Sequence, residues 1–157
     1  MLVRLVYASR STQEIDDALV ASIVEQSQKY NLEHGITGVL CTYSEGNLFL
    51  QVLEGGRAEV NQLYGAIVRD SRHRDVTLLD YAEIAERRFA SWRMGSVNLN
   101  RVNLGIILRF SETSVLDPFS TSGQALLALL DELTSSGAIV SRDSAYHHHP
   151  RRRRHPT

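Results

Sequence analysis

The chain has 157 residues, 43% of them hydrophobic and 22% charged, and a formal net charge of −1. This length fits one ordinary domain, the composition excludes a disordered or fibrous chain, and the charge gives no global attraction to nucleic acid or an anionic membrane. The single cysteine excludes an internal disulfide, no signal peptide is evident, and no apolar run approaches the ~20 residues that span a bilayer, so we expect a cytoplasmic protein.

The chain begins with a strand-like run and continues with a helical one. Residues 2–8 are almost entirely apolar, as expected of a central strand that is covered on both faces. Ser11 and Glu14 have the spacing of a capping box, and the apolar residues that follow recur every four positions. These signals predict an amphipathic helix that starts near Ser11 and ends at about Asn31.

A hairpin and a second helix come next. Residues 39–43 and 48–54 are strand-like and flank four turn-forming residues, which predicts a β-hairpin. In residues 60–68 the apolar side chains follow the i, i+3, i+4, i+7, i+8 spacing of an amphipathic helix. This second helix should end near Asp70.

Two further strands and two further helices complete the pattern. Strands are predicted at about 76–86 and 94–98. The order of elements predicts an α+β domain of ferredoxin-like βαββαββ type with a five-stranded mixed sheet. The leucine-rich stretches 104–108 and 126–133 predict C-terminal helices, which should cover the sheet face that the first two helices leave open.

The same patterns divide the chain into three parts. Residues 1–99 form the predicted domain, and residues 100–137 form a helical extension. Residues 138–157 lack apolar periodicity and carry the basic run 151–154 beside several histidines, which predicts a disordered tail. Such a tail can neutralise phosphates without reading sequence and is equally consistent with an inert terminus, so we expect no nucleic-acid binding.

One amide interrupts an apolar strand. Gln51 lies within the apolar run 48–53, where an amide is costly unless it is paired. A glutamine that faces solvent on an edge strand would explain this pattern without a function. Tyr7 and Asn31 also have ordinary explanations, as a core aromatic residue and a helix C-cap.

Four segments taken together resemble the BLUF family of flavin-containing blue-light sensors. They are LVYAS at 5–9, NLEHGITGVL at 31–40, FLQVLEG at 49–55 and RRFASWRM at 87–94. The resemblance extends from residue 1 to about residue 99 in order and spacing. It implies a bound FAD, or else FMN or riboflavin, with its ring between the two helices on one sheet face. A planar ring of this kind needs apolar walls and a few fixed polar groups.

The resemblance also implies roles for single residues. Tyr7 would give an electron and then a proton to the light-excited flavin, and recombination would leave the amide of Gln51 rotated or tautomerised, with a red-shifted absorption. Asn31 would hydrogen-bond the carbonyl and imide edge of the ring, because an amide both donates and accepts. Trp92 and Met94 would pass the change to the surface, and which of the two points at Gln51 is left open.

The other expected flavin contacts match the family pattern less closely. Ile23 and Ile36 are candidate wall residues, and Arg69 is the candidate for the arginine that many members carry on the second helix. At the aligned position this chain has Ala66, and Tyr30 stands where the family often has Asn or His. The departure at Ala66 keeps open an alternative function, a flavin-free, BLUF-like protein-interaction module.

An enzymatic function has little support in the sequence. His34, His73, Asp70 and Glu54 are residue types that perform acid–base catalysis, but they form no recognisable catalytic spacing. The stretch 72–75 is typical of a solvated turn, and no phosphate loop or metal site is evident. We predict a sensor that is not an enzyme, that signals to a separate downstream protein, and that forms a homodimer or a higher homo-oligomer.

Overall fold

The computed structural model describes residues 1–140. The predicted tail was to begin at residue 138, and most of it, residues 141–157, lies outside the described residues. Within residues 1–140, no helix combines the length and the apolar character needed to cross a membrane.

The described chain folds into a five-stranded sheet with helices on both faces. In chain order the elements are β1 (Leu2–Ser11), α1 (Asp17–His34), β2 (Thr37–Tyr43), β3 (Leu48–Gly56), α2 (Arg57–Arg69), β4 (His73–Ile84), β5 (Gly95–Asn98), α3 (Leu104–Leu108) and α4 (Gly123–Ser135). The strand order is β4-β1-β3-β2-β5, and all neighbours are antiparallel except β2 and β5, which are parallel. The predicted ferredoxin-like fold with a mixed sheet is therefore confirmed.

The start of α1 differs from the prediction. Ser11 is the last residue of β1, and its hydroxyl donates a hydrogen bond to Gln13 O at 2.6 Å. Asp16 is the N-cap instead, and its Oδ1 accepts from Leu19 N at 2.8 Å. The capping-box prediction was wrong because Ser11 pairs in the β1–β4 ladder, which a local pattern cannot reveal.

Each face of the sheet has its own hydrophobic core. Side chains of successive strand residues point to opposite faces, so Tyr7 points toward α1 and α2 whereas Val6 points toward the C-terminal helices. On the second face α4 contributes four buried leucines, Leu126, Leu129, Leu130 and Leu133. Ile107 of α3 joins the same core. The prediction that the extension covers this face is confirmed.

The chain returns to the sheet after α4. Ser96 N donates to Val140 O at 2.8 Å, and Val140 N donates to Ser96 O at 2.9 Å. Ile139 packs over Gly95, where a Cβ on that glycine would come within 2.5 Å of Ile139 Cγ2. Residues 138–140 therefore lie beside β5, the strand that directly follows Met94.

Candidate functional site

A cavity of about 260 Å³ lies between α1, α2 and the sheet. Its lining combines apolar side chains with a few polar ones from both helices, four strands and the loops that flank β4. The lining residues are Tyr7, Ile23, Gln26, Ser27, Tyr30, Asn31, Leu40, Gln51, Leu63, Ala66, Ile67, Asp70, Arg72, His73 and Met94. Five of the residues predicted for the site are in this set, namely Tyr7, Ile23, Asn31, Gln51 and Met94.

Tyr7 and Gln51 face each other across the ladder between β1 and β3. The two residues are direct register partners, and the Tyr7 hydroxyl donates a short hydrogen bond to Gln51 Oε1. Their side chains belong to residues that are only 1% and 4% exposed. Because β3 is the central strand of the sheet, the alternative of a solvent-facing edge glutamine is wrong.

The Tyr7 hydroxyl is held in its protonated form. Burial raises the pKa of Tyr7 above its ordinary value, and the nearby Tyr64 and Asp70 raise it further. A protonated phenol donates one hydrogen bond, and Gln51 Oε1 is the acceptor that it finds in this structure. The pair thus has a defined direction, with Tyr7 as donor and Gln51 as acceptor.

Met94, and not Trp92, contacts Gln51. Gln51 Nε2 donates to Met94 Sδ at 3.2 Å, and Met94 is fully buried beside the cavity. Trp92 packs against the core on the opposite face of the sheet, and its carbonyl accepts from Gly38 N at 2.9 Å. The orientation that the sequence left open is therefore settled for this structure.

Asn31 lines the cavity and carries an unpaired buried acceptor. Its Nδ2 donates to Arg93 O, and its backbone carbonyl accepts from Ile36 N at 3.0 Å. Its Oδ1 is buried and has no hydrogen-bond partner within residues 1–140. A buried acceptor without a donor costs roughly 1–3 kcal/mol, which a ligand N–H in the cavity would recover. The imide N–H of a flavin ring is a donor of this kind, so the residue fits the implied cofactor.

Arg72, which no sequence pattern marked as a site residue, also lines the cavity. Arg72 Nη2 lies 2.7 Å from Asp70 Oδ2, and Arg72 Nη1 donates to Gln26 Oε1 at 3.2 Å. The hydrogen bond from Arg72 lowers the pKa of Asp70, which keeps that carboxylate charged. The ion pair fixes both side chains at the cavity wall, where the sequence predicted only the end of a helix and a charged loop.

His73 lies in the site, although the sequence predicted a solvated turn for residues 72–75. It is the first residue of β4 and is half-buried, with Nδ1 at 2.8 Å from the hydroxyl of Ser9. Its ring centroid is 5.0 Å from that of Phe49 and 6.4 Å from that of Tyr7. Burial lowers the pKa of His73. Ser9, which lies on the same strand face as Tyr7 in an apolar strand, was the available signal for a polar partner.

Two residues predicted to contact the flavin do not line the cavity. Arg69 folds back over its own helix, where its Nη1 lies 3.3 Å from the position of a Cβ on Gly65. Ile36 is buried in the core beneath Gly55 instead of at the cavity surface. Ala66, at the position where the resemblance implied an arginine, does line the cavity.

The groups considered for acid–base catalysis do not form one site. His34 stacks on Tyr30 with ring centroids 3.9 Å apart, and its Nδ1 lies 2.7 Å from Tyr30 O. Glu54 is fully buried on the other face of the sheet, paired with Arg4. In the described part of the chain, no cluster of three or more His, Cys, Asp or Glu side chains is arranged to hold a metal ion.

Comparison with known proteins identifies the family of this arrangement. The family model BLUF, described as sensors of blue-light using FAD, matches residues 2–95. The chain is 34% identical over 96 residues to photoactivated adenylate cyclase subunit beta of Euglena gracilis, a match that covers 60% of this chain and 11% of that protein. It is 33% identical over 91 residues to the blue light- and temperature-regulated antirepressor BluF of Escherichia coli strain K12, covering 57% and 22%.

A solved structure extends the comparison over most of the chain. BlsA in its photo-activated state superposes with a TM-score of 0.74 at 33% identity, covering 85% of this chain and 94% of BlsA. The chain thus spans nearly all of BlsA but only a small part of the cyclase subunit and the antirepressor.

Proposed function

The chain belongs to the BLUF family, and from this premise we propose that it is a blue-light photoreceptor in which Tyr7 and Gln51 form the switch beside a bound FAD. The family is defined by blue-light sensing with FAD, so residues 2–95 form a sensor domain and not an enzyme. One observation carries the proposal. Tyr7, Gln51 and Asn31 line the same cavity, Tyr7 donates a hydrogen bond to Gln51, and Oδ1 of Asn31 is buried without a partner in the described chain.

We assign recognition of the flavin ring to the cavity between α1 and α2. When bound, the flavin supplies blue-light absorption and, once excited, an acceptor for one electron. Ile23, Leu63 and Ile67 provide apolar walls for a planar ring, and Asn31 Oδ1 provides an acceptor for its imide N–H. FMN and riboflavin carry the same ring, so these residues are suited to all three flavins, and the family favours FAD.

Tyr7 is the proposed donor of an electron and a proton. Its hydroxyl is protonated in the dark because burial raises its pKa. Loss of an electron makes a phenol hydroxyl strongly acidic, and Gln51 Oε1 already accepts its hydrogen bond. When the electron and the proton return to Tyr7, no net product remains. The lasting change is then confined to the hydrogen-bond pattern around Gln51.

Gln51 is the proposed persistent element of the switch. The two ends of an amide are similar in size, so rotation by half a turn exchanges donor and acceptor with little steric cost, and tautomerisation exchanges the same roles. At present Oε1 accepts from Tyr7 and Nε2 donates to Met94 Sδ. After rotation Nε2 faces the Tyr7 oxygen, and Met94 loses its donor. The local change therefore reaches the flavin and the segment of Met94 together.

We propose that the signal then passes to the C-terminal extension. Trp92 packs against the core that α4 shares, and Arg88 forms a 2.7 Å ion pair with Asp131 of α4. A displacement of Met94 would act on α4 through these contacts. In this proposal residues 1–99 are the sensor and residues 100–137 are the output element.

The receiver is proposed to be a separate protein in the cytoplasm. The exposed leucines of α3, Leu104 and Leu108, offer apolar contact area for that protein or for a second copy of the chain. A homodimer or higher homo-oligomer is part of this proposal.

The cofactor assignment can be tested directly. Denaturation of the purified protein should release a flavin that co-migrates with FAD in chromatography. A colourless protein that takes up none of FAD, FMN or riboflavin would instead support the alternative function, a flavin-free interaction module.

A further inference from the structure

Glu54 is a fully buried carboxylate near the end of β3, the strand that carries Gln51. Its Oε2 accepts from Arg4 Nε at 2.9 Å and from Arg88 N at 3.1 Å, and its Oε1 accepts from Phe89 N at 2.6 Å. The side chain thus joins β3 to β1 and to two consecutive backbone amides of the segment that precedes β5. None of these contacts belongs to the hydrogen bonds between Tyr7, Gln51 and Met94.

The carboxylate of Glu54 has a structural role beyond occupying volume in the core. A buried ion pair adds little stability compared with well-packed apolar residues of the same volume. Backbone amides buried in a loop, however, need acceptors, and a charged acceptor forms stronger hydrogen bonds than a neutral one. Glu54 supplies such an acceptor to the amides of Arg88 and Phe89, and Arg4 balances its charge.

The segment 87–94 depends on contacts of this kind. It lies between β4 and β5 and contains no helix or strand. Glu54 holds its beginning, and the Gln51 contact with Met94 Sδ, at 3.2 Å, lies at its end. These two attachments come from β3, and α1 holds the end of the segment as well, since Asn31 Nδ2 donates to Arg93 O and Gln28 Nε2 donates to Met94 O at 3.2 Å. Its middle is tied to β2 through the bond from Gly38 N to Trp92 O at 2.9 Å.

We propose that Glu54 is a positioning residue for the switch, because its carboxylate fixes the start of segment 87–94 on β3 so that Met94, and not Trp92, faces Gln51. This inference rests on the proposed light-sensing function. If the segment is released at Phe89, Met94 and Trp92 can exchange places with less resistance. The backbone amide of Arg88 is held by Glu54, and its side chain pairs with Asp131. Arg88 therefore carries the change to α4.

The test uses the full chain with Glu54→Gln, which keeps the shape but removes the charge. We expect the variant to bind flavin and to shift its absorption in light, with a dark-recovery rate that differs from the wild type by about tenfold, the effect of losing one charge-assisted hydrogen bond. Trp92 is the only tryptophan of the chain, so its fluorescence reports its surroundings directly. Its emission maximum in the dark should move in the variant.

Two further variants keep the outcome decisive. Glu83→Gln removes the charge from the exposed Arg57–Glu83 pair and is the matched control, with recovery and emission like those of the wild type. Glu54→Leu combined with Arg4→Leu removes the anchor without leaving a buried charge, and it should show the same altered recovery even if Glu54→Gln does not fold. Folded variants with wild-type recovery and wild-type Trp92 emission would overturn the inference. An absence of any light response in the wild type would overturn the proposed function instead, while the emission of Trp92 would still test the positioning role.

Discussion

Tyr7 and Gln51 occupy directly opposed positions on β1 and β3, and the hydroxyl of Tyr7 donates to the amide oxygen of Gln51 within the buried wall of the cavity. The other end of the same amide donates to Met94 Sδ. A single side chain therefore connects a redox-capable phenol to the segment that leads toward the C-terminal extension. This geometry makes the two ends of the amide separately testable.

Replacement of Gln51 by leucine should leave the flavin bound and abolish the light-induced red shift. Leucine preserves most of the volume but has neither a donor nor an acceptor, so no hydrogen-bond pattern can be exchanged. The measurement is the light-minus-dark absorption spectrum. Gln124→Leu, at an exposed position of α4, is the matched control and should shift normally. A normal shift in Gln51→Leu would show that the switch lies elsewhere.

Replacement of Tyr7 by phenylalanine should also abolish the shift, because the hydroxyl is the proposed source of the proton. The buried hydrogen bond to Gln51 is lost as well, which should lower the free energy of unfolding by about 1 kcal/mol. Tyr81→Phe, at a residue that is 38% exposed, controls for the loss of a phenol and should retain the shift. Transient absorption after a blue flash, together with urea unfolding, checks both effects. A full red shift in Tyr7→Phe would contradict the proposed donor.

Replacement of Asn31 by alanine should weaken flavin binding by about tenfold or more. The change removes the unpaired Oδ1 and the bond from Nδ2 to Arg93 O, and one hydrogen bond of this kind is worth roughly 1–3 kcal/mol. Flavin dissociation during dialysis gives the measurement. Asn61→Ala, on the exposed side of α2, should retain flavin like the wild type. Equal retention in the two variants would refute the role assigned to Asn31.

The stability of the protein should fall as the pH drops below about 6.5, in part because of His73. Burial lowers the pKa of this histidine in the folded state, so the unfolded chain binds the proton at a higher pH than the folded chain does. The free energy of unfolding therefore rises with pH across this range, and the contribution of His73 is present above the ordinary pKa and is lost as the pH falls. The free energy of unfolding, measured with urea at pH 7.5 and 5.5, should differ less between the two pH values in His73→Gln than in the wild type. An equal difference in the two proteins would mean that folding does not lower the pKa of His73.

The resemblance to the BLUF family implied the switch roles of Tyr7 and Gln51, for which the residues alone left ordinary explanations open. Local patterns predicted the order of the elements, because helix and strand periodicities are carried by neighbouring residues. They failed where the environment comes from distant residues. His73 looked solvated within a run of charges, but β1 continues to Ser11 and pairs with His73, which brings the imidazole to Ser9. Arg69 was one turn too far along α2, and the cavity holds Arg72 instead.

Other features could not have been predicted from sequence at all. The contacts of Glu54 join β3 to backbone amides of Arg88 and Phe89, and no sequence spacing encodes such a long-range bond to a loop. The choice between Trp92 and Met94 depends on the same loop, whose path is set by tertiary contacts. The contacts of Glu54 and the orientation of Met94 both depend on the three-dimensional arrangement of the sheet.

The most direct test of the central claim is the absorption spectrum of the purified protein in the dark and after blue light. We expect flavin bands in the dark, a displacement of these bands to longer wavelength on illumination, and complete return in darkness, because Tyr7 regains its electron and proton and only the amide of Gln51 changes. Flavin bands that do not move in light, or that bleach without recovery, would contradict this account.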